Sequence, residues 1–151
     1  MAKALTAVGA LLVACILALG GVAYLAREED KLAIDPILSE RITRTVALAD
    51  RGGRDRLDLP ALASFAWDRM LLVERGTEPE EISRALGFEW SGDVPIELGD
   101  VLILVSGSRV VRYAEYRGEG AFAGVRRPVD AFDRADAVFS IRALTIRPLR
   151  L

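Results

Sequence analysis

Five consecutive apolar residues, Val101-Leu102-Ile103-Leu104-Val105, constrain this chain more than any other stretch. The run is too short for a helix and ends at Ser106-Gly107-Ser108, a tight turn, so it reads as a strand. Strand side chains alternate between the two faces of a sheet. A strand that is apolar at every position therefore needs cover on both sides. Arg109 to Tyr116 is the returning strand, which makes 101–116 a β-hairpin. In that second strand Val111 and Tyr113 alternate with Val110, Arg112 and Ala114, so one face is wetter.

The stretch from Phe65 to Trp90 supplies a neighbour for the hairpin. Met70-Leu71-Leu72-Val73 reads as a short buried strand, Arg75-Gly76 as a turn, and 78–86 as a helix. Thr77-Glu78-Pro79-Glu80 has the capping-box pattern, in which the Thr77 hydroxyl would accept from the Glu80 amide. Pro79 suits the first helical turn, where a missing N–H costs nothing. Glu78, Glu80 and Glu81 place negative charge at the positive end of the helix dipole. Gly87 suits the left-handed position that closes a helix.

Asp35-Pro36 looks like an N-cap followed by the first helical residue, and Ile37, Leu38, Ile42, Thr45, Val46 and Ala49 recur at helical spacing, predicting a helix over 36–49. Residues 50–55 are a turn rich in charge and glycine. Arg56 to Leu59 alternates like an edge strand that Pro60 ends, and 61–65 is a connector. Residues 89–100 form an acidic loop. Residues 117–124 (RGEGAFAG) read as a mobile glycine-rich loop and lack the pattern of a phosphate cradle. Asp130 to Asp136 reads as a helical turn, and 137–144 as the final strand. The fold class expected is α+β, with four to five strands in one antiparallel sheet and two helices.

Ala4 to Ala26 is a run of 23 residues without a charge, long enough as a helix to cross the roughly 30 Å hydrocarbon core. Arg27-Glu28-Glu29-Asp30-Lys31 ends it. An uncleaved membrane anchor is the favoured reading. A lipoprotein signal with Cys15 as the lipidated residue and a secretory signal cut after Ala23 are the alternatives. The expected organisation is an anchor at 1–27, a linker at 28–35, an extracytoplasmic domain at 36–146 and a tail at 147–151. It implies a single pass through the cytoplasmic membrane, with the domain in the periplasm or outside the cell.

The chain has no histidine, which excludes Ser-His-Asp triads, Cys-His pairs and HExxH zinc sites. Cys15 is its only cysteine, so the domain has no disulfide. A net charge of −2 gives no general attraction to nucleic acid. The charge is unevenly placed: 78–100 holds seven acids against Arg84 alone, whereas 101–151 holds nine bases against five acids. Such a split polarises a surface and orients docking.

Phe65-x-Trp67-Asp68, an apolar strand, then Thr77-x-x-Glu80-x-Ile82-x-x-x-Leu86-Gly87 and a hairpin resemble small uncharacterised bacterial lipoproteins and membrane-anchored domains. The resemblance covers about 65–116, and this chain carries Arg75-Gly76 where that group often has Pro-Tyr. It implies export and a membrane tether, and no activity. The sequence points to no catalytic residue, metal set or cofactor. The function expected is a membrane-tethered interaction or accessory domain with a protein partner. Its candidate contact residues are Trp67, Asp68, Glu78, Glu81, Trp90 and Arg112. One alternative is a small-ligand binder or carboxylate-dependent hydrolase, which would need two converging carboxylates drawn from Asp68, Glu74, Glu89, Asp93 or Asp100. A further alternative is an immunity-type protein acting by occlusion.

Overall fold

The structure is a computed structural model that describes residues 34–52, 55–90 and 99–149. The expected span at 4–26, Cys15 and Asp93 lie outside these residues. Among the described residues no helix is long and apolar enough to cross a membrane.

Helix α1 (Pro36–Asp50) starts where the sequence predicts, because Asp35 Oδ1 accepts from the Ile37 and Leu38 amides at 3.1 and 2.9 Å. Leu38, Ile42 and Val46 face the core, while Ile37 lies in solvent. Strand β1 (Arg56–Asp58) follows, then a single turn α2 (Leu59–Leu62) whose first free amide is capped by Asp58. Strand β2 (Arg69–Val73) leads to helix α3 (Pro79–Leu86). The expected capping box does not form. Thr77 Oγ1 instead donates to the Glu74 carbonyl at 2.6 Å, which tightens the preceding turn and leaves Glu78 as an N-cap with no side-chain bond. Gly87 closes α3 with φ of 82°, as its position implies.

The hairpin is β3 (Asp100–Ser106) and β4 (Arg109–Tyr116), with a bulge opposite Leu104 and Val105. The remaining strands are β5 (Ala121–Phe122), β6 (Val129–Asp133), β7 (Val138–Arg142) and β8 (Thr145–Pro148). Among the described residues the strands form two four-stranded sheets, not one sheet of four to five strands: β4-β3-β2-β6, fully antiparallel, and β1-β7-β8-β5, where β5 and β8 run parallel. Three local readings are thereby corrected. Residues 129–133 are an edge strand on β2, and only 134–136 make a 3-10 turn. The glycine-rich loop contains β5. Beyond β7, Ala143 and Leu144 turn the chain at φ of 47° and 58° into an eighth strand.

β2 and β3 lie in the middle of the first sheet, and their side chains divide by parity. Met70, Leu72, Leu102 and Leu104 join α1 and the second sheet in the larger core. Leu71, Val73, Val101, Ile103 and Val105 pack with Ile82, Leu86, Trp90 and Tyr113 in a smaller one. The both-face cover expected of 101–105 is realised. A chain of edge-to-face aromatic contacts, Tyr116–Phe122–Phe139–Phe132, runs through the larger core with centroids 5.3–5.6 Å apart.

Candidate functional site

The six residues singled out from the sequence do not share one place. Trp67 is 4 % exposed, with the Arg134 guanidinium 5.1 Å from its ring centre. Asp68 Oδ2 accepts from the Gly107 amide at 2.6 Å, so its carboxylate holds the hairpin turn. Trp90 is 8 % exposed, edge-on to Tyr113, and its amide donates to Ser83 Oγ at 2.9 Å. Glu78 is exposed at the N-cap of α3, and Glu81 is half-buried in its first turn. Arg112 reaches Asp35 at 3.7 Å and covers the Phe65 ring. The two indoles therefore offer no wide apolar patch.

Of the four described carboxylates among those considered from the sequence, Glu74 and Asp100 converge. The ladder sets Val73 opposite Val101 and Val129, and Asp100 opposite Tyr116. Glu74, Asp100, Tyr116 and the approach to β6 consequently meet at one end of the first sheet. They line an open cleft of about 500 Å³ with Arg75, Arg117 and Arg127. Arg127 Nη1 lies 3.3 Å from Glu74 Oε1 and 3.7 Å from Asp100 Oδ1, while its Nη2 donates to the Phe122 carbonyl at 2.9 Å. Asp100 Oδ1 also accepts from the Arg75 amide at 3.3 Å.

Tyr116 forms the inner wall. Its hydroxyl accepts from the Gly120 amide at 3.0 Å. Burial raises the phenol pKa above its ordinary value; the Gly120 bond opposes this, and the charges of Asp100 and Glu119 add to it. The phenol thus keeps its proton through the physiological range. Gly118 and Gly120 have a steric reason to be there, since a Cβ on either would fall 2.4 or 2.7 Å from the phenol oxygen. The loop that reads as mobile is pinned over this ring, with further bonds from Ala121 N to the Leu144 carbonyl and from Ala123 N to the Ile146 carbonyl at 2.9 Å.

On the other side of Arg117 lies a second cleft, of about 550 Å³, between α1 and the edge of β4. That edge is covered by its own chain. Ile34 bridges to Tyr113, the Asp35 amide donates to the Tyr113 carbonyl at 2.9 Å, and the Glu115 amide donates to Ser39 Oγ at 3.0 Å. Glu115 is 3 % exposed. Its Oε2 pairs with Arg117 Nη2 at 2.5 Å, whereas its Oε1 is buried and has no hydrogen-bond partner among the described residues. The Glu115 carboxylate holds the Arg117 pKa above the usual arginine range, first through their hydrogen bond and then through its charge. A buried acceptor left bare costs about 1–3 kcal/mol, and more when charged.

Sequence reasoning reached Glu74 and Asp100 but missed Arg127, Tyr116 and Glu115. For Glu115 a signal exists: it is a carboxylate two residues beyond Tyr113, in phase with the apolar side of β4. Among the described residues no group of three or more acidic or cysteine side chains could hold a metal ion. No family model matches the chain, and no curated protein or solved structure matches it significantly.

Proposed function

We propose that the chain is an extracytoplasmic interaction domain, tethered to a membrane by residues 4–26, and that its contact site is the cleft at the Glu74–Asp100–Arg127 end of the first sheet. The observation that carries this reading is Arg127 Nη1 shared between two carboxylates at 3.3 and 3.7 Å in an open cleft. Those separations are long for charge-assisted bonds, which close to about 2.7–2.9 Å when fully made. An incoming group of either sign can therefore replace one half of the arrangement without leaving a buried charge bare. The partner surface that fits is polar and of mixed charge. The burial of Trp67 and Trp90 supports the same conclusion, because recognition through an indole-centred apolar patch is not open to them.

In-cell crosslinking of the full-length chain tests this. One dominant partner is expected with the wild type, and its loss is expected in Arg127→Gln and Asp100→Asn variants that keep the wild-type melting temperature. Capture of that partner at equal yield by both variants would remove the cleft from the interaction. The cleft volume also falls within the range of small-ligand sites, and its paired charges suit a zwitterion. That second reading replaces the first if no partner is captured and free amino acids raise the melting temperature of the wild type but not of Arg127→Gln.

A further inference from the structure

We infer that the second cleft, between α1 and the β4 edge, is a binding site for a primary alkylammonium group, seated on Glu115. The inference does not depend on the role of the Glu74–Asp100–Arg127 cleft. Three features of the site define its ligand.

The first is the acceptor. Glu115 is buried to 3 % exposure and lines the cleft, and its Oε1 has no hydrogen-bond partner among the described residues. A buried carboxylate oxygen of this kind is completed by a donor that carries positive charge.

The second is that only one oxygen is free. Arg117 Nη2 already takes Oε2 at 2.5 Å. A guanidinium binds best as a fork across both oxygens, which this pairing prevents. An ammonium is a compact point charge that needs only one. Ser39 and Thr43 line the same cleft and bring hydroxyl acceptors for its remaining protons. Ser39 Oγ donates to the Asp35 carbonyl at 2.8 Å and accepts from the Glu115 amide, so it has a lone pair left.

The third is the wall. Ile34, Pro36 and Ala47 line the cleft together with Glu115, and so do Glu40 and Arg44, which form an exposed ion pair. An alkyl stem of a few carbons suits this apolar lining, with the ammonium head on Glu115. That chemistry occurs both in a free amine and in a lysine side chain.

The test is an NMR titration of the isotopically labelled full-length chain in detergent micelles with n-butylammonium chloride. Saturable shifts are expected at the amides of Ser39, Thr43, Ala47 and Glu115. n-Butanol, similar in shape but uncharged, is expected to bind at least about tenfold more weakly. Glu115→Gln should weaken n-butylammonium binding by a similar factor. Ala47→Trp, on the exposed side of α1, should block the cleft with the carboxylate intact, which keeps the test valid if Glu115→Gln fails to fold. Titration with lysine capped at both ends separates the sources. Tighter binding of n-butylammonium assigns a free amine, and tighter binding of the capped lysine assigns a protein side chain. Equal shifts with n-butanol, or wild-type binding by Ala47→Trp, would overturn the proposal.

Discussion

The two faces of the first sheet are covered in different ways. One face meets α1 and a whole second sheet, with Phe139 at 0 % exposure between Phe122 and Phe132. The other meets the two turns of α3, Trp90 and a few flanking side chains. The thick cover is built from residues far apart in sequence. The thin cover is local, and short-range bonds hold it: Ser83 Oγ takes the Trp90 amide, and Arg69 Nη2 donates to the Leu86 carbonyl at 3.0 Å. Met70–Val73 and Val101–Val105 are therefore apolar at every position for two unrelated reasons, and the thin cover is expected to open without loss of the domain.

Phe139→Ala is the strongest challenge to the thick side. It removes a fully buried ring and two aromatic contacts, and should cost about 3–5 kcal/mol in denaturant unfolding of the full chain, with all core amides losing protection together. Ile82→Ala acts on the thin side, where Ile82 is 0 % exposed. A cost of about 2–5 kcal/mol is expected. Here hydrogen exchange should accelerate over α3 and Trp90 while β7 and β8 stay protected. Uniform loss of protection in Ile82→Ala would break the comparison and make the two covers one cooperative unit.

The same contrast explains what could be read in advance. α1, the hairpin and the close of α3 carry local signals: Asp35-Pro36, five unbroken apolar residues before Ser106-Gly107, and Gly87. The second sheet carries few. β8 buries Ile146 alone among four residues, and the Ala143-Leu144 turn before it adopts positive φ without the glycine or asparagine that usually marks such a turn. In β6 the alternation Val-Asp-Ala-Phe-Asp is blurred because Asp130 is buried, where its Oδ2 accepts from the Arg126 amide at 3.0 Å. The capping box at Thr77 was a sound local pattern overridden by a bond to Glu74. The candidate site was half legible for a related reason. Glu74 and Asp100 flank strands that the pattern marks, whereas Arg127 and Tyr116 reach them only through a register that no local motif specifies.

A change at a shared element should weaken both faces equally, which sharpens the comparison. Asp68→Ala removes the acceptor for the Gly107 amide at the hairpin turn and leaves both cores filled. A loss of about 1.5 kcal/mol is expected, with exchange faster at the β3–β4 turn and no preference for either cover. A larger effect on α3 than on β7 would show that the turn is coupled to the thin side.

The smallest effect separates the faces by pH. Tyr116 lies on the thick side, and its phenol pKa is raised above the ordinary value of about 10, chiefly by burial. Below that ordinary value the phenol is protonated in both folded and unfolded chains, and its contribution to stability is complete. As pH rises beyond it, the unfolded chain releases the proton while the folded chain retains it. Unfolding is then increasingly favoured until the folded pKa is passed. Tyr116→Phe keeps the ring against Phe122 but removes the hydroxyl that accepts from Gly120, at about 1 kcal/mol near neutrality. Its stability should fall less steeply than the wild type's between pH 9 and the upper limit of folding, so the two curves converge as pH rises. Parallel curves would mean that the alkaline loss arises elsewhere, and that the thick cover has no titrating weak point at Tyr116.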